Sequence, residues 1–397
     1  MIAFALLYLL EGSIRKYIIA STLTLLPKYV YLFYFFAKNA ANVRHFALAV
    51  WLLPLLFLVP SSIEALPFAI YDFLTIALVP CLIIAIVYAR PDILYKKKLI
   101  KICFWGGIAN SSLIILQFFA GPRHFLSQTV DQQFTQHTYV GTLFQKAPGI
   151  AASSSAYITV AGLIATIWLL NTSGFPRSLL RLSISLACLS VMSNLTSRSY
   201  AFGVLLFFAI HYTFVFFLTN RKLAALWPII ASASLMPVYN LLNSSIEGFD
   251  SANRSVNDFG SVWDRIPSFI PLEQASFELP LLGGLGLGST VNNNPFVEIS
   301  FLPQCQSFFS EYEFTRYVCS FGWFGYIVVF TRWAVCILLA RKLFFHIGKK
   351  HALSSASLSY LIVILFWGAP LKINDVSSGL LLIAIASLSA SSYHKDG

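Results

Sequence analysis

The chain has 397 residues, is 57% hydrophobic and only 11% charged, and carries a formal charge of +11 with mean hydropathy +0.74. Ordinary soluble domains carry about a quarter charged residues, so the composition argues against one. The cations are scattered between apolar stretches rather than gathered in one basic tract, which argues against a nucleic-acid partner.

Taken in chain order, apolar spans are expected at 1–10 (partial), 17–37, 45–63, 66–89, 101–120, 149–170, 178–195, 199–219, 224–243, 317–340, 353–370 and 376–392. Stretches of roughly 18 apolar residues are what bilayer-crossing helices require. The fold class predicted is therefore all-α: a polytopic transmembrane helical bundle of about 12 spans forming a single domain over 1–397. The first ten residues, MIAFALLYLL, lack a basic leader and a small-residue cleavage site, and read as the second half of a span. Pro27 and Lys28 make 17–37 the weakest span.

Orientation follows from Lys and Arg in alternate loops. The richer set includes Arg90, Lys96, Lys97, Lys98, Lys101, Arg177, Arg181, Arg221, Lys222, Arg341, Lys342, Lys349 and Lys350, in tight clusters. That side is expected to be cytoplasmic, with both termini on it. The opposite side then holds two long loops, 121–148 and 244–316. Nine of the 16 acidic residues lie between Glu247 and Glu313, so the acid groups suited to chemistry gather in the larger outer loop.

Several charges at the membrane boundary have two readings. Arg198 in NLTSRSYAFG is either a snorkelling anchor or a cation aimed at an anionic head group, to which a guanidinium donates two parallel hydrogen bonds. Arg254 and Arg265 either pair with Asp258 and Asp264 or join the same phosphate site. Glu311, Glu313 and Arg316 stand where the large loop enters SEYEFTRYVCSFGWFG. LLGGLGLGST at 281–290 lacks a P-loop lysine, so it is a close-packed turn or a backbone lining for a polar head group. Glu11 and Arg15 in EGSIRKY are spaced for an i,i+4 salt bridge. His124 and His137 have no second ligand at metal spacing, so no metal is expected. Cys305 and Cys319 are the two cysteines able to meet outside the membrane; spacing leaves their pairing open.

The order of these motifs resembles the bacterial O-antigen ligase and polysaccharide polymerase superfamily. EGSIRKY, KAPGIAASSSAYITVAGL, SRSYAFGVLL, GGLGLGST and SEYEFTRYVCSFGWFG are similar, in that order and over nearly the whole chain, to segments of that family. Where the ligases carry a histidine, this chain has Glu311, which favours the polymerase branch. The resemblance implies a metal- and cofactor-independent, inverting glycosyltransferase of the inner (plasma) membrane. It would move glycan from an undecaprenyl-diphosphate carrier to a glycan or lipid acceptor on the periplasmic face, in surface polysaccharide biosynthesis, with membrane lipids around it. On that view Glu311 is the general base. Arg198 and Arg265, with Arg254 and Arg316 behind them, neutralise the departing diphosphate. The alternatives are a flippase for lipid-linked oligosaccharide and a non-catalytic subunit of an envelope assembly.

Overall fold

The computed structural model describes residues 2–17, 93–121, 124–127, 147, 149–150, 155–172, 174–194, 198–216, 321–348, 352–367 and 378–389, with single positions 30, 66, 69 and 317. These form eight α-helices: α1 Ile2–Tyr17, α2 Ile93–Ala120, α3 Ala156–Thr172, α4 Arg177–Ser193, α5 Arg198–Phe216, α6 Trp323–Gly348, α7 Ala352–Trp367 and α8 Ser378–Ser389. A 3-10 turn, Phe125–Ser127, follows α2.

Local chemistry sets several helix ends. Gly121 adopts φ 85, and its N–H closes on Gln117 O at 3.1 Å. A left-handed glycine in this place stops α2 without the Cβ penalty other residues incur. Pro176, with φ −59, precedes α4, and its carbonyl accepts from Leu179 and Leu180. Proline suits this entry because its φ is already helical and a helix start needs no N–H there. Gly322, φ 59, stands just before α6 and accepts from Gly325 N at 2.9 Å.

The centre of the bundle is the α2–α3 pair, with α4 against both and α5 against α3 and α7. α6 packs on α7, while α8 lies against α2, α3 and α1. At the α2–α3 crossing Gly107 faces Gly162 so closely that a Cβ on either would sit 2.5 Å from the other's Cα. α7 is buried on every side from Ser354 to Leu365, and α8 from Gly379 to Leu388. A helix apolar all round is stable only when enclosed in this way. α6 carries Arg332 in its middle; it is buried, and its Nε donates to Leu365 O at 2.8 Å, tying α6 to the end of α7.

The expectation of about 12 spans is corrected here. Among the described residues one helical stretch, Lys96–Ala120, is long and apolar enough to cross a membrane. The apolar stretches of α3, α5, α7 and α8 run only 10–17 residues. A 17-residue helix is about 25 Å long, short of the roughly 30 Å hydrocarbon core. Where spans are expected at 149–170 and 376–392, the described helices are Ala156–Thr172 and Ser378–Ser389. The multi-pass inner-membrane placement with cytoplasmic termini falls with the span count. Hydropathy measures how apolar a stretch is, and a helix enclosed by other helices of its own chain scores like one enclosed by lipid. The spans expected at 45–63 and 224–243 and the loop 244–316 lie outside the described residues, as do most of 17–37, 66–89 and 121–148.

Candidate functional site

The densest polar constellation among the described residues lies where the C-terminal half of α2, residues 147, 149, 150 and 155, the first turns of α3 and the C-terminal end of α4 converge. The C-terminal half of α2 is apolar but for Asn110, Ser111, Ser112 and Gln117, of which Asn110, Ser111 and Gln117 are buried. A buried amide needs partners for both its oxygen and its nitrogen, and the partners found are backbone groups of Leu126, Gly149, Ile150 and Ser155 and the Thr159 hydroxyl. Asn194, the C-cap of α4, approaches the same strip of chain from the other side.

Three side-chain amides thereby grip one segment. Asn194 accepts from Ala147 N at 3.0 Å and donates to Ala147 O at 3.0 Å. Gln117 accepts from Gly149 N at 2.8 Å, and its Nε2 donates to Leu126 O at 2.8 Å and more weakly to Gly149 O at 3.5 Å. Asn110 accepts from Ile150 N at 2.9 Å and donates to Ser155 O and Thr159 Oγ1, each at 3.0 Å. Each amide supplies the donor and acceptor that a neighbouring strand would otherwise provide. Gly149 is held at φ 65, where a Cβ would stand 2.5 Å from Asn110 Oδ1.

A line of hydroxyls continues inward. Thr159 Oγ1 lies 2.9 Å from Tyr200 OH, which lies 2.7 Å from Ser190 Oγ, and Ser190 donates to Ala187 O at 2.7 Å. Farther along α3, Thr166 meets Ser183 at 2.9 Å. Burial pushes the Tyr200 phenol above its ordinary pKa, while hydrogen bonds with Ser190, Thr159 and Ser111 pull it back. It is therefore a neutral hydroxyl that donates and accepts. The set joins α2, α3, α4 and α5 through satisfied hydrogen bonds, and no group in it is poised as a nucleophile or a base.

A second group contrasts with it. Where α5 and α7 meet, Tyr360 is packed edge-on against Phe207 at 5.7 Å, and Phe207 stacks on His211 at 6.1 Å. The Tyr360 hydroxyl, His211 Nδ1 and the hydroxyls of Ser354, Ser355 and Ser359 are buried with no partner among the described residues. No three His, Cys, Asp or Glu side chains among the described residues stand together as a metal-binding group.

Of the site residues expected from sequence, Arg198 is the first residue of α5. Its helix begins four residues after Asn194, at the same end of the bundle as the 147–150 segment. Glu311, Arg254, Arg265 and Arg316 lie outside the described residues, as do Cys305, Cys319 and the glycines of 281–290. The amides that form the site were not anticipated. Their signal was an Asn and a Gln seven residues apart, on one helix face, inside an otherwise apolar span.

No family model, curated protein or solved structure matches the chain. A resemblance running nearly end to end should have met a family model over most of its length. The expected membership of the O-antigen ligase and polymerase superfamily is therefore corrected, together with the glycan-transfer function and surface-polysaccharide role drawn from it. The motifs that carried it are short, and their apolar positions recur by chance in any chain with 36 Phe and a 57% hydrophobic composition.

Proposed function

We propose that the described helices form a lipid-contacting module, a bundle that keeps its hydrogen-bonding groups inside and offers apolar side chains to acyl chains outside. The observation that carries this reading is the distribution of large exposed hydrophobics. They sit on every helix from α1 to α7, among them Leu10, Phe119, Leu170, Met192, Phe216, Ile337 and Phe366. Phe119, Phe216 and Ile337 are 79%, 77% and 70% exposed. Scattered single hydrophobics need no explanation, but extended apolar surface marks a lipid or protein interaction site. Its spread over seven helices favours a fluid apolar partner over one shaped protein surface. The amide grip and the hydroxyl line fit this role as internal fasteners, because polar groups have no partners among acyl chains.

The test is flotation of the full chain, synthesised cell-free with or without phosphatidylcholine vesicles. The chain should float with the vesicles and precipitate without them. Replacing Phe119, Phe216 and Ile337 by Ser should weaken flotation, since each contact with an apolar medium is worth about 1.5–3 kcal/mol. A chain that stays monodisperse in buffer and ignores the vesicles sinks the reading.

A further inference from the structure

The two ends of the bundle differ in charge. At the start of α2 stand Lys96, Lys97, Lys98 and Lys101, and at the start of α4 stand Arg177 and Arg181. The fold brings these groups together. Lys96 Nζ lies over the Trp168 ring of α3 at 5.6 Å, and Lys101 Nζ lies over Phe175, in the turn before α4, at 5.8 Å. The amide grip at Gln117 lies roughly 30 Å away along α2. Lys97, Lys98, Lys101, Arg177 and Arg181 are exposed. Asp92 is the acid next to this end in sequence, and from there to Glu247 the chain contains one more, Asp131. This stretch of the sequence is therefore strongly basic.

Apolar groups flank these cations. Trp105, one turn beyond Lys101, is 51% exposed, and Leu182 beside Arg181 is 48% exposed. Cations with long aliphatic stems, set against aromatic rings and next to apolar surface, are the side chains that settle at a lipid–water boundary. A nucleic acid would not use the apolar flank.

We propose that this end of the bundle, built from α2, the α3–α4 turn and α4, binds the phosphate head groups of anionic phospholipids. The proposal rests on the lipid-contacting reading and adds the head-group chemistry. A phosphodiester without a compensating ammonium leaves net negative charge for Lys97, Lys98, Arg177 and Arg181 to meet. Each cation near such a surface strengthens binding roughly fivefold, and salt weakens the effect.

The experiment is flotation of the full chain with vesicles of phosphatidylcholine alone or of phosphatidylcholine doped with phosphatidylglycerol. Binding to the neutral vesicles reports on the apolar surface, and the excess for doped vesicles reports on the basic end. The unmodified chain should show an excess that shrinks as salt rises. The variant K97E/K98E/R181E should lose about a hundredfold of that excess, three cations at roughly fivefold each, while still binding neutral vesicles. Neutral binding with no excess, or an excess that survives the triple reversal, overturns the proposal and leaves the apolar reading standing. Failure to float with either vesicle removes the apolar reading and this proposal with it. If the reversal variant also loses neutral binding, K97Q/K98Q/R181Q decides: loss of the excess supports the proposal and retention refutes it.

Discussion

Gly162→Ala tests the α2–α3 crossing on which the amide grip depends. The new methyl would lie 2.5 Å from Gly107 Cα, against an ordinary contact of at least 3.4 Å. The neighbour is backbone, so no side chain can swing aside and the helices must part by about 1 Å. Thr159 lies one turn before Gly162 and Asn110 one turn after Gly107, so the same movement stretches their 3.0 Å hydrogen bond to about 4 Å, beyond useful range. Over-packing costs about 1–3 kcal/mol, and a buried polar group left unpaired costs about 1–3 kcal/mol more. Against these, Ala is better than Gly inside a helix by about 1 kcal/mol. The net expectation is a loss of about 1–5 kcal/mol.

Denaturant unfolding of the full chain, followed by circular dichroism in one fixed solvent, measures it. Gly174→Ala is the control: nothing lies within 4 Å of its Cβ position, and its stability should stay within about 0.5 kcal/mol of the unmodified chain. The double variant with Gly107→Ala should cost clearly less than the sum of the two singles, because one separation of the helices serves both methyls. A Gly162→Ala chain as stable as the original, or strict additivity with Gly107→Ala, would refute the close crossing.

Four further substitutions probe the polar interior. Asn194→Ala removes both hydrogen bonds to Ala147; hydrogen exchange should show the Ala147 amide losing protection, with a stability loss of about 2–3 kcal/mol, and an unchanged exchange rate would exclude the grip. Gly149→Ala places a methyl on Asn110 Oδ1 and forces a left-handed backbone on alanine, so melting should fall by more than the roughly 1–2 kcal/mol that conformation alone costs. Tyr→Phe should act with opposite signs at two sites. Tyr200→Phe breaks two short hydrogen bonds and should cost about 1–3 kcal/mol, while Tyr360→Phe removes a buried hydroxyl without a partner among the described residues and should be neutral or stabilising by up to about 1 kcal/mol. Equal losses at the two sites would show that the Tyr360 hydroxyl is bonded after all.

What could be read from sequence depended on whether a signal was local or relational. Helix positions were legible, because an apolar run of helical length is a local property: the run expected at 178–195 is α4, Arg177–Ser193, and that at 199–219 is α5, Arg198–Phe216. The cytoplasmic side assigned to the charges falls with the span count, but some of its grouping has a counterpart in the packing. Alternating loops had grouped Lys96–Lys98 and Lys101 with Arg177 and Arg181, and the contacts to Trp168 and Phe175 set these groups at one end. What surrounds each helix was not legible. α7 and α8 score as apolar as any spanning helix, yet they are enclosed by helices of the same chain. Hydropathy cannot distinguish these surroundings, which is why the count of spans came out too high.

The polar grip was illegible for a related reason. Asn110 and Gln117 can be seen to share a face of α2, but their meaning comes from Ile150 and Gly149, which lie 40 and 32 residues from them in sequence. An amide that binds backbone places no demand on the partner's side chain, so the partner leaves no mark of its own except at Gly149, where the left-handed φ and the approach of Asn110 exclude a Cβ. That glycine, in the stretch KAPGIAASSS, was read as part of a borrowed family motif. Its position has a sufficient physical cause inside this fold, in the fit between one glycine and one asparagine. A motif of this kind can therefore be kept by packing alone, and the likeness of such a segment to another family is weak grounds for importing that family's chemistry.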